Sequence, residues 1–223
     1  DSGKLNLLII GDSVSEDLYV ASKISKKLTS TLDIRRLEFD DECAKHIVTN
    51  GRELNHRIPE FCSDTLKKYK NSNLFKDADV IIIASAWLSN APYLESLIKY
   101  DLLKNKKIII YRNHAFTDMS SILYSFNSNH QELLKPNNFL FLSKRTRTEF
   151  ANSQIQNIAI SNKMNTINGF DAFCNHTKKE CSLFDKSGNP LIIDQSHLSV
   201  SGFNIFEDWF SNKLLDLIEN KLY

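Results

Sequence analysis

The segment Asp79-Val80-Ile81-Ile82-Ile83-Ala84-Ser85 decides the fold class of this chain. Its apolar residues are consecutive. They predict a strand with apolar side chains on both faces. Strands of this kind are typical of parallel sheets that are covered by helices on both sides. Two further apolar runs, at residues 7–10 and 107–111, have the same character. The sequence therefore predicts a buried parallel sheet.

Helical patterns alternate with these runs along the chain. Two more strands are predicted at residues 34–37 and 139–142. Helices are predicted at residues 15–32, 59–69, 93–103, 120–134 and 146–153, and from about Ser201 onwards. This order favours an α/β fold, a three-layer α/β/α sandwich around a central, mostly parallel sheet.

The length and composition of the chain are those of one ordinary globular domain. With 223 residues, no internal repeat and no Gly/Ser-rich linker, residues 1–223 are expected to form a single domain. Because the chain opens on Asp1 and not on Met, we expect it to be processed or excised from a longer polypeptide. The net charge of +1 argues against nucleic acid as a partner.

Four cysteines form two local groups, Cys43 with Cys62 and Cys174 with Cys181. Disulfides between sequence neighbours need the least rearrangement of the chain, and they would place it in an oxidising compartment. Free buried thiols are one alternative. Zinc is a weaker one, because the Cys-x6-Cys spacing of the second group differs from the usual Cys-x2–4-Cys.

A serine follows the first predicted strand. Gly11-Asp12-Ser13 stands between the run at residues 7–10 and the first helix, and sites in parallel sheets form at the carboxyl ends of strands. The Ser13 hydroxyl would face the cleft there, and its backbone N–H, near a helix N-terminus, could stabilise an oxyanion. Taken alone, the tripeptide also fits a turn with a helix cap.

The complementary groups stand in Asp194-Gln195-Ser196-His197-Leu198-Ser199 near the other end of the chain. At this spacing the Asp194 carboxylate can accept a hydrogen bond from one imidazole nitrogen of His197 and leave the other nitrogen for a serine. Alone, this pattern also fits a surface loop before a helix. Together with Ser13 it predicts a catalytic triad, with Ser13 as nucleophile, His197 as base and Asp194 as the orienting group.

These motifs resemble the SGNH (GDSL-type) hydrolase superfamily, whose first block reads Gly-Asp-Ser and whose last block reads Asp-x-x-His. The resemblance is closest to the SGNH domains fused to acyltransferase-3 membrane domains in bacterial carbohydrate O-acetyltransferases. Those domains carry a Cys…Cys segment before an Asp-x-x-His-Leu-Ser-x-x-Gly block, and small residues followed by Trp after the third strand. The matching residues here are Cys174, Cys181, Asp194, His197, Leu198, Ser199 and Gly202, with Ala84-Ser85-Ala86-Trp87. The resemblance implies an SGNH hydrolase-like, flavodoxin-like topology.

The resemblance also implies a function. It implies O-acetylation of a hydroxyl on a bacterial surface polysaccharide or oligosaccharide through an acetyl-Ser13 intermediate, without a bound cofactor or metal. The acetyl group, ultimately from acetyl-CoA, would come through a membrane acyltransferase domain in the same or a partner chain, on the periplasmic or extracytoplasmic side of a bacterial membrane. Two alternatives stay open, an acetylesterase with the same triad and a non-catalytic carbohydrate-binding module with a decayed site.

The sequence departs from the superfamily at the oxyanion hole. The third block usually supplies an asparagine, which is missing from the stretch that ends at Trp87. Loss of one oxyanion donor typically costs about 10²–10³ in rate. The remaining candidate donors are Ser13, Gly51, Ser85 and Asn90. The residues expected to line the substrate cleft are Asp12, Trp87, Arg112 and His114.

Overall fold

A five-stranded parallel sheet forms the centre of the molecule. The structure, a computed structural model, describes residues 3–38, 43, 62, 72–87, 91–98, 103, 106–117, 122 and 136–219. The strands are β1 (Leu5–Gly11), β2 (Leu32–Glu38), β3 (Val80–Ala84), β4 (Lys107–Arg112) and β5 (Asn165–Asn168). Their order in the sheet is β2-β1-β3-β4-β5, and every neighbouring pair is parallel. This confirms the predicted α/β class and the flavodoxin-like strand order.

Helices connect the strands and cover the sheet. In the described part of the chain they are α1 (Ser13–Ile24), α2 (Lys26–Thr31), α3 (Asn73–Asp77), α4 (Ala91–Ile98), α5 (Asn138–Leu142), α6 (Thr146–Ser161) and α7 (Val200–Glu219). A small antiparallel pair, β6 (Cys174–Asn175) and β7 (Glu180–Cys181), lies between β5 and α7. None of the helices within these described segments has both the length and the apolar character that crossing a membrane requires.

The alternation of side chains along the buried strands separates two core layers. Leu7 and Ile9 of β1 pack on one face of the sheet with residues of α1 and α7. Leu8 and Ile10 pack on the other face with residues of α3, α4 and α6. Because all four side chains are at most 1% exposed, β1 is buried on both faces, as its continuous apolar sequence predicts.

The strand predicted at residues 139–142 is wrong. This segment lies in α5, which begins where Asn137 Oδ1 accepts a hydrogen bond from the Leu140 backbone N–H at 2.9 Å. Phe139 and Leu142 are 40% and 72% exposed, so the apolar run does not form a strand buried on both faces. The fifth strand is Asn165–Asn168, which among the described strands pairs with β4 alone, and its polar sequence carries no strand pattern.

The helix predicted at residues 15–32 is divided in two by Ser25. The Ser25 N–H donates to the Ala21 carbonyl at the end of α1, and its hydroxyl accepts from the Leu28 N–H at the start of α2. The helix predicted at 146–153 extends to Ser161. The helices predicted at 59–69 and 120–134 lie outside the described residues, apart from Cys62 and Ile122.

Two disulfides join the cysteines as sequence neighbours. Cys43 is bonded to Cys62, with their Cα atoms 5.3 Å apart, and Cys174 is bonded to Cys181. Cys174 and Cys181 lie directly opposite each other in the β6–β7 pair, so this bond closes a small hairpin before the segment that carries His197. The predicted pairing is confirmed, and neither free thiols nor a cysteine-ligated metal is needed to account for these residues.

Candidate active site

The turn between β1 and α1 is braced by the side chain of Asp12. Its Oδ1 accepts from the Val14 N–H at 2.8 Å and caps α1, and its Oδ2 accepts from the Ala86 N–H at 2.9 Å. The Asp12 N–H donates to Ser85 Oγ at 3.3 Å. These bonds tie the turn to the end of β3. Both carboxylate oxygens of Asp12 therefore serve the turn, and its contact with substrate stays a prediction.

Gly11 permits the close approach of β1 to β3 at this turn. Its φ of +151° lies in a region that side chains disfavour, and a Cβ at this position would lie only 1.6 Å from the Ala84 carbonyl oxygen. A residue with a side chain would therefore push the strand ends apart. The glycine of the Gly-Asp-Ser motif is explained by this packing.

Ser13 is the first residue of α1, and its side chain is exposed. Neither its hydroxyl nor its backbone N–H has a hydrogen-bond partner among the described residues. Arg36 on β2 is hydrogen-bonded to the turn. Its Nε donates to Ser15 Oγ at 2.9 Å, and its Nη2 donates to the Asp12 carbonyl at 3.2 Å. The Ser13 hydroxyl is thus presented on a fixed backbone at the carboxyl edge of the sheet.

Asp194 and His197 form a hydrogen-bonded pair in the loop before α7. The Asp194 Oδ2 and His197 Nδ1 atoms are 2.7 Å apart, and Asp194 Oδ1 accepts the backbone N–H groups of Ser196 and His197 at 2.9 and 3.0 Å. Since the carboxylate holds Nδ1–H, Nε2 is left as the basic nitrogen. The His197 and Asp194 side chains are 38% and 50% exposed, so reactants can reach the pair from solvent.

The environment keeps Asp194 ionised and makes His197 more basic. Partial burial acts to raise the pKa of Asp194, but the N–H groups of His197 and Ser196 and the His197 ring outweigh it and lower that pKa to about 2. Partial burial also acts to lower the pKa of His197. The hydrogen bond and charge of Asp194, with the charges of Asp17 and Asp12, outweigh this and raise the His197 pKa above 6.5.

Asp17 joins the helix that begins at Ser13 to the loop that carries His197. It lies four residues after Ser13 on α1 and is 8% exposed, and its Oδ2 accepts from the Leu198 backbone N–H at 3.1 Å. Burial raises the pKa of Asp17 to about 6. Sequence reasoning missed this residue. The available signal was an acidic side chain adjacent to Leu18 on the apolar stripe of an amphipathic helix.

Gln195 anchors the other side of the same loop. Its backbone carbonyl accepts from the Phe116 N–H at 2.8 Å, and its Oε1 accepts a short hydrogen bond from the Arg145 guanidinium. The Arg145 N–H donates in turn to the Ala115 carbonyl at 2.8 Å. The segment after β4 and the start of α6 therefore support the Asp194–His197 loop, although neither carries a motif that the sequence singled out.

The other predicted site residues lie in different surroundings. His114 is 1% exposed, its Nδ1 is 2.7 Å from the Tyr111 hydroxyl, and burial lowers its pKa to about 3, so it is neutral. Trp87 is fully buried in the core layer beneath α4 and α6, and Ser85 is buried against Asp12. Arg112 is half-buried at the end of β4. The oxyanion candidates Gly51 and Asn90 lie outside the described residues.

Comparison with known proteins identifies related sequences and folds. The family described as "SGNH domain (fused to AT3 domains)" matches residues 1–211. No curated protein sequence matches the chain. The periplasmic domain of a lipopolysaccharide acetyltransferase from Salmonella ser. Paratyphi A superposes with a TM-score of 0.66 at 16% identity, over 96% of this chain and 85% of that one. A catalytic mutant of an acetylxylan esterase from Geobacillus stearothermophilus superposes with a TM-score of 0.53 at 13% identity, over 95% of each chain. At sequence identities this low, the superpositions show that the fold is shared and nothing further.

Proposed function

This chain belongs to the family of SGNH domains that are fused to AT3 domains, and from that membership we propose that it is a serine-dependent O-acetyltransferase of bacterial surface polysaccharide. The observation that carries the proposal is the 2.7 Å Asp194–His197 pair. Through Leu198 and Asp17 this pair is bonded to the helix that begins at Ser13. This bond supports the proposal that Ser13 acts together with His197 and Asp194 as a catalytic triad.

In the proposed mechanism, His197 Nε2 removes the proton of Ser13 Oγ while that oxygen attacks the carbonyl carbon of the acetyl donor. The Ser13 N–H donates to the developing oxyanion, and Asp194 stabilises the imidazolium. His197 then protonates the leaving group and acetyl-Ser13 remains. An acceptor hydroxyl gives its proton to His197 and attacks the acetyl-serine. His197 then passes that proton to Ser13 Oγ as it leaves, which yields the acetylated sugar and free Ser13.

The donor and the cellular location follow from the same proposal. The acetyl group reaches Ser13 from an AT3 membrane domain, in the same polypeptide or in a partner chain, and ultimately from acetyl-CoA. The reaction then takes place on the extracytoplasmic side of the membrane, in the periplasm. Two disulfides fit an oxidising compartment of this kind.

Transfer and hydrolysis are separated by following the fate of the acetyl group. With p-nitrophenyl acetate as donor, we expect an oligosaccharide acceptor to raise nitrophenol release and to divert acetyl from free acetate into an O-acetyl sugar detected by mass spectrometry. Equal amounts of acetate and nitrophenol at every acceptor concentration would instead identify an esterase. Sugar binding without turnover that depends on Ser13 would identify a binding module.

The pH dependence of the reaction should report the raised pKa of His197. His197 must be neutral to accept the Ser13 proton, so kcat/KM should rise with pH through a midpoint above 6.5. The charged groups that act on His197 are the carboxylates of Asp12, Asp17 and Asp194, whereas the nearby His114 is neutral. Asp17→Asn removes one carboxylate while its amide oxygen can still accept from Leu198. We therefore expect Asp17→Asn to move the midpoint to lower pH, measured with p-nitrophenyl acetate.

Glu16→Gln is the matched control, because Glu16 is the neighbouring carboxylate on α1 and its side chain is 63% exposed. Its midpoint should equal that of the wild type. A midpoint that moves to higher pH in Asp17→Asn, or does not move, would show that Asp17 does not act on His197 electrostatically.

A further inference from the structure

A polar cavity opens at the carboxyl ends of β4 and β5, beside the candidate active site. It has a volume of about 180 Å³, and its walls include Arg112, Lys144, Asn152, Asn168, Phe170 and His176. β4 is two strands away from β1 in the sheet, roughly 10 Å at the usual strand spacing. The cavity is therefore separate from Ser13 but lies on the same edge of the sheet.

The Arg112 guanidinium has no partner among the described residues around this cavity. No described residue forms a hydrogen bond or an ion pair with it, and its Nε is buried without an acceptor. Burial lowers the pKa of Arg112, but a guanidinium in a protein stays charged. A half-buried cation with five N–H donors and no acceptor is costly, and such a group calls for a ligand that supplies the acceptors.

Lys144 and His176, which also line the cavity, each have a carboxylate partner. Lys144 Nζ lies 2.6 Å from Glu149 Oε1, and His176 Nε2 lies 3.1 Å from Asp171 Oδ1. Asp171 is also the acid whose charge acts on Arg112, but the same Oδ1 accepts from Asn168 Nδ2 at 2.5 Å. The charge of Asp171 acts on Arg112 without a hydrogen bond or ion pair between the two, so the guanidinium donors are left for an anion. A carboxylate matches the planar fork of its donors.

Asn152 adds an acceptor to the same wall. Its Nδ2 donates to the Asn113 carbonyl at 2.6 Å, which orients the amide, and its Oδ1 is buried without a donor. A hydroxyl can satisfy such an acceptor, whereas a carboxylate cannot. Unsatisfied donors on Arg112 and an unsatisfied acceptor on Asn152 together fit a ligand that carries both a carboxylate and hydroxyls, as an acidic sugar does.

We propose that this cavity binds an acidic sugar unit of the acceptor chain, with its carboxylate paired to Arg112. The cavity is connected to the proposed reaction site through the chain. Lys144 on its wall is followed by Arg145, which donates to Gln195 in the loop of Asp194 and His197. The identity of the ligand as part of an acceptor rests on the proposed acetyltransferase function. The preference for an anion rests on the cavity alone.

The test is direct binding by calorimetry, in the absence of any acetyl donor. Trigalacturonate and neutral maltotriose are titrated into the full chain with its disulfides intact, and into Arg112→Gln, Arg112→Lys and Arg35→Gln. We expect the wild type to bind trigalacturonate about tenfold or more tightly than maltotriose. Arg112→Gln should lose this preference, and Arg112→Lys should retain only part of it, because a lysine keeps the charge but lacks the fork.

Arg35→Gln is the matched control, because Arg35 is an exposed arginine paired with Asp33 on β2, at the opposite edge of the sheet. It should bind like the wild type. Thermal unfolding verifies that each variant is folded, and Arg112→Lys carries the test if Arg112→Gln does not fold.

Equal affinity for the two trisaccharides, or an unchanged preference in a folded Arg112 variant, overturns the proposal. Glucose 6-phosphate and glucuronate are titrated in the same way. Tighter binding of glucose 6-phosphate than of glucuronate also overturns the proposal, because the site would then select a phosphate. Since no turnover is involved, failure of the cavity assignment is distinguishable from failure of the transferase assignment. A protein without acetyl transfer that still prefers trigalacturonate through Arg112 retains this anion site.

Discussion

Replacement of Ser13 by alanine is expected to lower kcat/KM for p-nitrophenyl acetate by about 10³- to 10⁶-fold, because it removes the proposed nucleophile, whose oxygen attacks the acetyl carbon. Ser13 is exposed at the first position of α1, so loss of its hydroxyl removes no hydrogen bond among the described residues. We therefore expect the fold to be intact and the effect to be confined to chemistry. The measurement is the initial rate of nitrophenol release at matched protein concentration.

The control for Ser13 is Ser30→Ala, an exposed serine on α2 whose rate should equal that of the wild type. Mass spectrometry of the protein during turnover should also find an acetyl group on the peptide that contains Ser13, and none in Ser13→Ala. Equal rates for the wild type and Ser13→Ala would remove Ser13 from the mechanism and with it the proposed acetyl-enzyme.

Replacement of Asp194 by asparagine is expected to lower kcat by about 10³- to 10⁴-fold. The asparagine Oδ1 can still accept the N–H groups of Ser196 and His197, so the loop should keep its shape. The amide cannot stabilise the His197 imidazolium, and it can hold the ring in the wrong tautomer. Loss of the carboxylate should also move the acid limb of the pH profile to lower pH, because Asp194 helps to raise the pKa of His197.

Asp208→Asn is the matched control for this substitution. Asp208 is an exposed acid on α7 that pairs with Lys27 at 2.6 Å, so its replacement removes a carboxylate without touching the site. Its kcat should match that of the wild type. A loss of less than about tenfold in Asp194→Asn, with an unmoved pH profile, would contradict the assignment of Asp194 as the orienting group.

The sheet could be predicted where burial dictates composition. β1, β3 and β4 lie in the interior of the sheet, so their continuous apolar runs are visible in the sequence. β5 could not be predicted, because it is a four-residue edge strand whose register is set only by pairing with β4. The apolar segment at residues 139–142 was wrongly predicted as a strand, because an apolar run need not be buried. Its Phe139 and Leu142 side chains are exposed on a short capped helix.

The sequence by itself determined the groups that carry the proposed chemistry. Ser13 follows a buried strand, and Asp194 and His197 are close enough in the chain to pair locally, as they do. Local spacing identifies each motif, because Asp194 and His197 are three residues apart and Ser13 stands at one strand-to-helix turn. The pairing of Ser13 with His197 was predicted only by taking the two motifs together.

The tertiary structure alone decided how those groups are supported and what lies beside them. Asp17 meets Leu198 across 181 positions of the chain, and Arg145 meets Gln195 across 50. The sequence predicted Arg112 as a residue of the substrate cleft, but only the fold shows that its guanidinium lies at a cavity without a hydrogen-bond partner among the described residues. Partners so distant in sequence are chosen by the packing of helices on the sheet. A local pattern can mark one partner, as the apolar stripe of α1 marks Asp17, but it does not identify the residue that this partner meets.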